Sequence, residues 1–360
     1  MNTALCFNDV LAYDQRPNPI SQRGGKYYLR LMEKGAKTVQ LLFADVLYEF
    51  EEKEDGIWEI LLPFKTGFNC VQIRVDGRDT LEALLPISYG YSRPYNYIEL
   101  PTEDAEHYDL KDVLHGSVRR EYFFSQVTGE WESCLVYTPY GYEQNPEKVY
   151  PVMYLQHGHG ENEVGWTYSG KVNLIMDNLI AEKKAEPFVI VMNNGMVQKD
   201  HVVDHLLFEP MLIQDVIPFI EKRYHVGGCR EKRGMAGLSM GSMQTSMTVM
   251  NHPELFSEVG IFSGFLHDWI SNSELDMTGH EPSENLHLMA LDDADKFNGY
   301  FNTFFRAMGK DDPFFEHFTG DDKLCEEKNI RCTRKVYDGT HDWNVWRKCI
   351  YDFAQMVFRT

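Results

Sequence analysis

The chain has 360 residues and a formal net charge of −20, from 35 basic and 55 acidic side chains, and at about 150 residues per domain it holds two or three domains. So acidic a surface repels nucleic acid and anionic lipid, which excludes a polyanion partner and a membrane surface. Hydrophobic residues at 43% and aromatics at 13% are enough for a large core and exclude wholesale disorder.

No apolar run reaches the roughly 18 residues of a membrane span. The opening MNTALCFNDVLAYDQRP has no basic stretch leading into an apolar one, so it does not read as a signal peptide. A cytoplasmic location is expected, although a chain trimmed of its leader would read the same. The cysteines (Cys6, Cys70, Cys134, Cys229, Cys325, Cys332 and Cys349) are odd in number and contain no CxxC. They read as reduced thiols, not as a disulfide frame or a zinc site.

Short strand-type runs come first: Lys26–Met32, Thr38–Phe43, Ile57–Leu62 and Phe68–Val75. In the last, Val71, Ile73 and Val75 alternate with polar residues, the period of a strand with one buried face. Asp55-Gly56 and Asp76-Gly77 read as turns, and the acidic run Glu51–Asp55 as solvated surface. Closely spaced strands with no helical run between them predict a small β-sandwich over residues 1–100. Next comes SYGYSRPYNYIELPTED, from Ser88 to Asp104, whose prolines, glycine and four tyrosines read as a linker. Its tyrosines are expected to pack between domains rather than to form a sugar platform. Residues 101–120 are assigned as linker and 121–360 as the second domain.

Beyond about His115 strands alternate with helices. Val149–Gln156 and Phe188–Met192 suit buried parallel strands. Between and after them, Lys171–Lys184 and Pro210–Tyr224 place apolar residues at helical spacing. That alternation predicts an α/β domain with a mostly parallel sheet covered on both faces.

The sharpest chemical signal is GxSxG in Arg233-Gly-Met-Ala-Gly237-Leu-Ser239-Met-Gly241, placed where a strand should turn into a helix. A serine on so tight a turn needs neighbours without side chains, and the turn lifts its Oγ above the sheet. GxSxG alone is common, and context makes Ser239 the candidate nucleophile. An acyl transfer also needs donors for the oxygen that becomes negative. Met240 N–H should be one, and the loop His157-Gly-His159-Gly160 should supply the other from His159 or Gly160. Near the C-terminus, Gly339-Thr-His341-Asp-Trp343 follows an apparent last strand, Arg331–Tyr337, and puts His341 where a base belongs. Gly309-Lys-Asp311-Asp312-Pro313 ends another strand in acids. Ser239, Asp312, His341 is the chain order of α/β-hydrolases, although spacing alone does not separate Asp312 from Asp311. His201-Val-Val-Asp204-His205 places metal-ligand types on one face of a helix if it is helical, but no third motif completes a site. No metal and no cofactor are expected.

GLSMGSMQT, FEPMLIQDVIPFIEKRYHV, HPELFSEVGIFSG, PVMYLQHGHGENEVGW and GTHDWNVWR together resemble the esterase-D-type carbohydrate esterases of family one, from roughly Glu121 to the C-terminus. GIWEILLPFKTGFNCVQIRVDG and the tyrosine-rich stretch after it are similar to the immunoglobulin-like carbohydrate-binding module fused ahead of such enzymes. The resemblance implies an α/β-hydrolase fold behind the sandwich, with Ser239 as nucleophile, His341 as base and Asp312 in the Gly-x-x-Asp position. It implies a serine esterase acting on feruloylated or acetylated oligosaccharides, feruloyl esters first. Small acetyl or siderophore esters, or glycan binding on an inactive scaffold, are the alternatives. By the family's precedent Trp166 and Trp343 line the acyl or sugar site; the other reading of each is an interior tryptophan. His159 stands where many relatives carry a run of glycines, which leaves the acyl specificity open. The oligomeric state is open too, a homodimer included.

Overall fold

The computed structural model describes residues 19–54, 56–266 and 291–359. Cys6, Asp55 and the opening segment, all part of the sequence reading, lie outside them. The chain divides into two compact units at Glu106/His107.

Among the described residues the first unit is built from ten strands. They are β1 (Ile20–Arg23), β2 (Lys26–Met32), β3 (Val39–Phe43), β4 (Val46–Glu49) and β5 (Glu51–Glu54), then β6 (Ile57–Leu61), β7 (Gly67–Val75), β8 (Arg78–Thr80), β9 (Ile87–Gly90) and β10 (Arg93–Leu100). One sheet runs β1-β2-β6-β5; the other runs β4-β3-β7-β10-β9, with β8 beside β7. Leu29, Leu31, Trp58 and Ile60 of the first sheet share one core with Val39, Leu41, Val71, Ile73 and Ile98 of the second. The alternation read from β7 thus marks a sandwich face. The acidic run is solvated, as expected, but it is a strand: all four residues of β5 are exposed at a sheet edge, where like charges discourage pairing with another chain.

The stretch Ser88–Asp104 is not a linker. It folds mostly into the β9–β10 hairpin, which turns at Tyr91 and Ser92 with φ of 52° and 58°. Pro94, which suggested a break, sits near the start of β10 opposite Tyr89 of the outermost strand, where a missing N–H is tolerated. Tyr97 stacks on Phe68 at 4.6 Å inside this unit. The assigned linker 101–120 also dissolves: a 3-10 turn occupies Glu103–His107, and a strand of the second unit starts at Ser117.

The second unit carries β11 (Ser117–Phe124), β12 (Trp131–Thr138), β13 (Val152–Gln156), β14 (Val189–Asn193) and a two-residue hairpin of β15 (Gln198–Lys199) and β16 (Val202–Val203). Then come β17 (Arg233–Leu238), β18 (Glu258–Phe262), β19 (Thr303–Gly309) and β20 (Thr333–Tyr337). Its helices are α1 (Gly165–Tyr168), α2 (Val172–Ala181), α3 (208–223, with a π turn at Leu212–Val216) and α4 (Met240–Asn251). They continue with α5 (Ala294–Tyr300), α6 (Phe315–Glu327) and α7 (Trp343–Ala354). The sheet order is β11-β12-β14-β13-β17-β18-β19-β20, parallel from β14 to β20 and antiparallel at β11 and β12. All five residues of both β13 and β14 are buried, as strands covered on both faces must be. This is the expected α/β-hydrolase sheet. From β13 the chain steps to β14 on one side and later to β17 on the other. That reversal opens a crevice outside the carboxyl ends of the strands.

Candidate active site

Four loops leave the carboxyl ends of β13, β17, β19 and β20, and each carries one part of the site. Ser239 joins β17 to α4 with φ 51° and ψ −121°, a conformation that costs a non-glycine residue of order 1–3 kcal/mol. Its neighbours explain the glycines. A Cβ on Gly237 would stand 2.3 Å from the Gly241 carbonyl oxygen, and one on Gly241 would stand 2.5 Å from the His157 carbonyl oxygen. Side chains at either position would push the turn off β13.

His341 follows β20, and its Nε2 lies 2.9 Å from Ser239 Oγ. Its Nδ1 lies 2.8 Å from Asp312 Oδ2, and the Asp312 side chain is fully buried while the imidazole is 22% exposed. Asp312 Oδ1 accepts the Phe314 N–H at 3.0 Å, which fixes the carboxylate. Asp311 is exposed, and only its main chain is used, with Thr340 Oγ1 donating to its carbonyl at 3.1 Å. The choice that spacing left open is thus settled by position: Asp312 is the one joined to His341. Phe314 and Trp346 meet the imidazole edge-on, at ring separations of 5.3 Å and 5.2 Å. A hydroxyl, an imidazole and a carboxylate linked in this order can pass a proton from oxygen to nitrogen while the carboxylate holds the tautomer.

The loop after β13 is held from below. Buried His157 donates from Nδ1 to the Gly158 carbonyl at 2.8 Å and accepts the Gly195 N–H on Nε2 at 2.8 Å. Burial pushes its pKa down to about 4, so it is a neutral strut. Gln244 of α4 extends the brace by donating to the Gly195 carbonyl at 2.8 Å. Met240 is the first residue of α4, where an N–H has no acceptor within its own helix. His159 is exposed, its N–H bonded to no acceptor among the described residues, and the Gly160 N–H faces the weakly accepting Met196 Sδ at 3.5 Å. The three N–H groups named from sequence therefore sit at the ends of β13 and β17 without strong protein acceptors.

Two expectations are corrected. Trp166 is 1% exposed and donates from Nε1 to the Gln156 carbonyl at 2.8 Å. Trp343 is 3% exposed, edge-on to Trp166 at 5.2 Å. Both are interior tryptophans supporting the site from behind, because each indole is used up in packing and each N–H in a hydrogen bond. The His201–His205 stretch is not one helix face either: it spans the β15–β16 hairpin and the start of a 3-10 turn. Among the described residues no group of three His, Cys, Asp or Glu side chains is arranged to hold a metal. Cys134, Cys229, Cys325, Cys332 and Cys349 are free thiols.

Sequence reasoning passed over Glu161. It sits two residues beyond His159, and both of its carboxyl oxygens are bonded within the site, to Gly158 N–H and Trp343 Nε1–H at 3.0 Å each. A lone glutamate in a glycine-rich loop reads as solvated surface, and nothing in its spacing marks it out.

A family described as "Putative esterase" matches residues 125–356. The chain belongs to this esterase family. A relative from Xylanibacter ruminicola, "Endo-1,4-beta-xylanase/feruloyl esterase", is 30% identical over 367 aligned residues, covering 95% of this chain. The chain spans 47% of that protein's length. Among solved structures, a ferulic acid esterase matches with a TM-score of 0.61 and 28% identity, over 68% of this chain and 99% of its own. The enterobactin esterase of Shigella flexneri matches with a TM-score of 0.69 across 96% of this chain and 97% of its own. At 14% identity that likeness is one of fold alone. The esterase match ends at residue 356, so it takes in Ser239, Asp312 and His341.

Proposed function

We propose that the protein is a serine carboxylic-ester hydrolase that releases ferulate and related hydroxycinnamates from xylan-derived oligosaccharide esters. The observation that carries the reading is the chain of contacts from Ser239 Oγ through His341 to buried Asp312, at 2.9 Å and 2.8 Å. Ser239 Oγ attacks the ester carbonyl while His341 Nε2 takes its proton. Asp312 stabilises the imidazolium without itself taking a proton. The oxyanion is received by the Met240 N–H and by an N–H of the His159–Gly160 pair. His341 then protonates the departing sugar hydroxyl, and water cleaves the acyl-enzyme by the same route reversed.

An aromatic acyl group is favoured by the side chains around the site. Met240, Met243 and Phe265 form an apolar cluster joined by Met196, Met247 and Phe314, and Phe314 also borders His341. Thioethers and phenyl rings suit a flat cinnamoyl ring better than an acetyl group. The first unit is read as a carbohydrate-binding-type module on the likeness stated above, tested by xylo-oligosaccharide binding that survives Ser239→Ala.

The deciding experiment compares kcat/KM for methyl ferulate and for p-nitrophenyl acetate in wild type and Ser239→Ala. Turnover of ferulate by wild type and none by the variant is expected. Turnover of acetate alone makes the protein an acetyl esterase, and turnover of neither overturns the reading.

A further inference from the structure

Glu161 sits in the loop that follows β13, and its carboxyl touches two other parts of the site. Oε2 accepts the Gly158 N–H at 3.0 Å, and Oε1 accepts the Trp343 Nε1–H at 3.0 Å. Gly158 belongs to the loop that carries His159 and Gly160, whereas Trp343 opens α7, two residues after His341. The position a Cβ would take on Gly158 is 3.5 Å from Glu161 Oε2 and 3.5 Å from Ser239 Cβ. The Glu161 carboxyl and the Ser239 side chain thus both border Gly158. Trp343 in turn meets Trp346 edge-on at 5.1 Å, and Trp346 meets His341 at 5.2 Å.

We propose that Glu161 is a positioning residue for the reaction: its ionised carboxylate ties the oxyanion loop, through Gly158, to the His341-bearing end of the sheet, through Trp343. The proposal rests on the esterase reading above. The chemistry of the donors sets the active form. Both partners are N–H groups that can only donate, so the site is satisfied by a group that accepts twice. A carboxylate does so with charge-assisted bonds, and a protonated acid accepts them less well. Burial pushes this carboxyl up to about 7, so the exchange between the two forms falls at neutral pH.

Few charges face it. Among the described residues Glu161 makes no ion pair, and no charged neighbour shifts its carboxyl; its hydrogen bonds to Gly158 and Trp343 both favour the charged form. The titratable groups of the surrounding elements are accounted for elsewhere. His157 is a neutral strut, His159 lies against His205, and Asp342 caps α7 through the Asn344 and Val345 N–H groups. His341 is bonded to Asp312 and Ser239. Glu163, two residues further on, is paired with Arg120. The strand–helix turn at Ser239 and the segment Gly165–Tyr168 contribute no charged side chain.

The test is Glu161→Gln, assayed on methyl ferulate and p-nitrophenyl acetate from pH 5 to 9, with folding checked by circular dichroism. The amide can accept one N–H but turns its own NH2 toward the other donor. A kcat lower by about 10²-fold with little change in KM is expected, the cost of displacing an oxyanion donor by an ångström or so. The acid limb of kcat should also lose a proton: wild type needs both His341 and Glu161 deprotonated, the variant only His341. A purely structural role would lower stability without changing the order of that limb. Should Glu161→Gln fail to fold, Trp343→Phe removes one donor to the carboxylate and moves the Glu161 ionisation to higher pH. Wild-type kcat in Glu161→Gln, a limb still of two protons, or an unmoved ionisation in Trp343→Phe overturns the proposal and leaves the esterase reading standing. Wild type inert toward both esters overturns both.

Discussion

The two units handle buried polar groups in opposite ways. In the sandwich each is closed on a partner. Asn96 accepts the Glu82 N–H at 2.8 Å and donates to the Glu82 carbonyl at 3.0 Å. Gln72 donates to Thr80 at 2.7 Å, and Glu59 takes both Arg23 and Arg30. Among the described residues, every buried side-chain polar atom without a protein hydrogen-bond partner belongs to the second unit. Three of them, on Gln156, Asn193 and Gln244, lie beside the loop that carries His159. Positive φ at non-glycine residues occurs in both units, in the second at the Asp200-His201 hairpin turn and at loop and helix-end residues such as Lys171 and Asn329. In the sandwich the non-glycine residues with positive φ sit in hairpin turns, at Ala44-Asp45, Asp76 and Tyr91-Ser92, where the turn type asks for it. In the second unit Ser239 takes that conformation at the reacting atom. The sandwich closes its buried polar groups on partners; the second unit keeps unpartnered ones, three of them beside the His159 loop, and sets one strained residue, Ser239, at the reacting atom.

The largest effects that test this contrast belong to the triad. Ser239→Ala should lower ester kcat by at least about 10⁴-fold, and Asp312→Asn by about 10⁴-fold through the wrong His341 tautomer. Asp311→Asn, at an exposed carboxyl, should stay within about twofold of wild type. A full loss on changing Asp311 would break the assignment of the buried carboxylate. Next comes Gly241→Ala. Its Cβ would meet the His157 carbonyl oxygen at 2.5 Å and Gln156 Cβ at 2.7 Å, and neither is free to move. About 1–3 kcal/mol of stability should go, read as a lower Tm, and most turnover should go with it.

A substitution in the sandwich sharpens the comparison from the other side. Asn96→Ala orphans the buried Glu82 N–H, while the Glu82 carbonyl keeps the Leu85 N–H at 3.2 Å, so about 1–3 kcal/mol of stability should be lost. The kcat of the folded protein should not change, since Asn96 is far in sequence from every catalytic loop and its side chain bonds only to Glu82, Leu85 and Pro86 of its own unit. A variant that is stable but slow would mean that the sandwich takes part in turnover.

How much was legible follows the same division. The elbow could be read from sequence because its sterics dictate residue type: Gly237 and Gly241 have no room for a side chain, and Ser239 and His341 follow in a fixed chain order. The strands around Val71 and Ile73 showed because one face is buried and one is not. What failed were residues whose type does not report their environment. Pro94 and four tyrosines read as a linker, yet Pro94 stands at the start of β10, ahead of the stretch from Asn96 that pairs with β7, and breaks no ladder there. Trp166 and Trp343 read as a substrate wall, because an aromatic side chain near a motif looks the same whether it faces a pocket or a core. Glu161 was invisible for a related reason: its carboxyl is unusual only for the two N–H groups that close on it, and they come from residues 158 and 343.

The smallest expected effect sets one carboxylate against another. Glu59 is held below its ordinary 4.5 by its bond to Arg23 and then by Arg30, whereas burial raises Glu161 to about 7. The signs are opposite. At acid pH the unfolded chain takes up the Glu59 proton more readily than the fold does. The stabilisation from Glu59 is therefore complete above 4.5 and is lost as pH falls through its folded pKa. For Glu161 the fold holds the proton that the unfolded chain releases, so stability falls as pH rises from 4.5 toward 7. Because the Arg23 and Arg30 side chains are 51% and 45% exposed, the Glu59 share is that of a solvent-screened pair, about 0.2–1 kcal/mol. Tm measured from pH 3 to 8 should show Glu59→Gln below wild type near neutrality and converging on it in acid. Glu161→Gln should gain on wild type as pH rises across the window from 4.5 to about 7. A Glu59→Gln deficit that stays constant down to pH 3 would show that the arginine pair does not set its ionisation, and the contrast between a closed carboxylate and a poised one would fail with it.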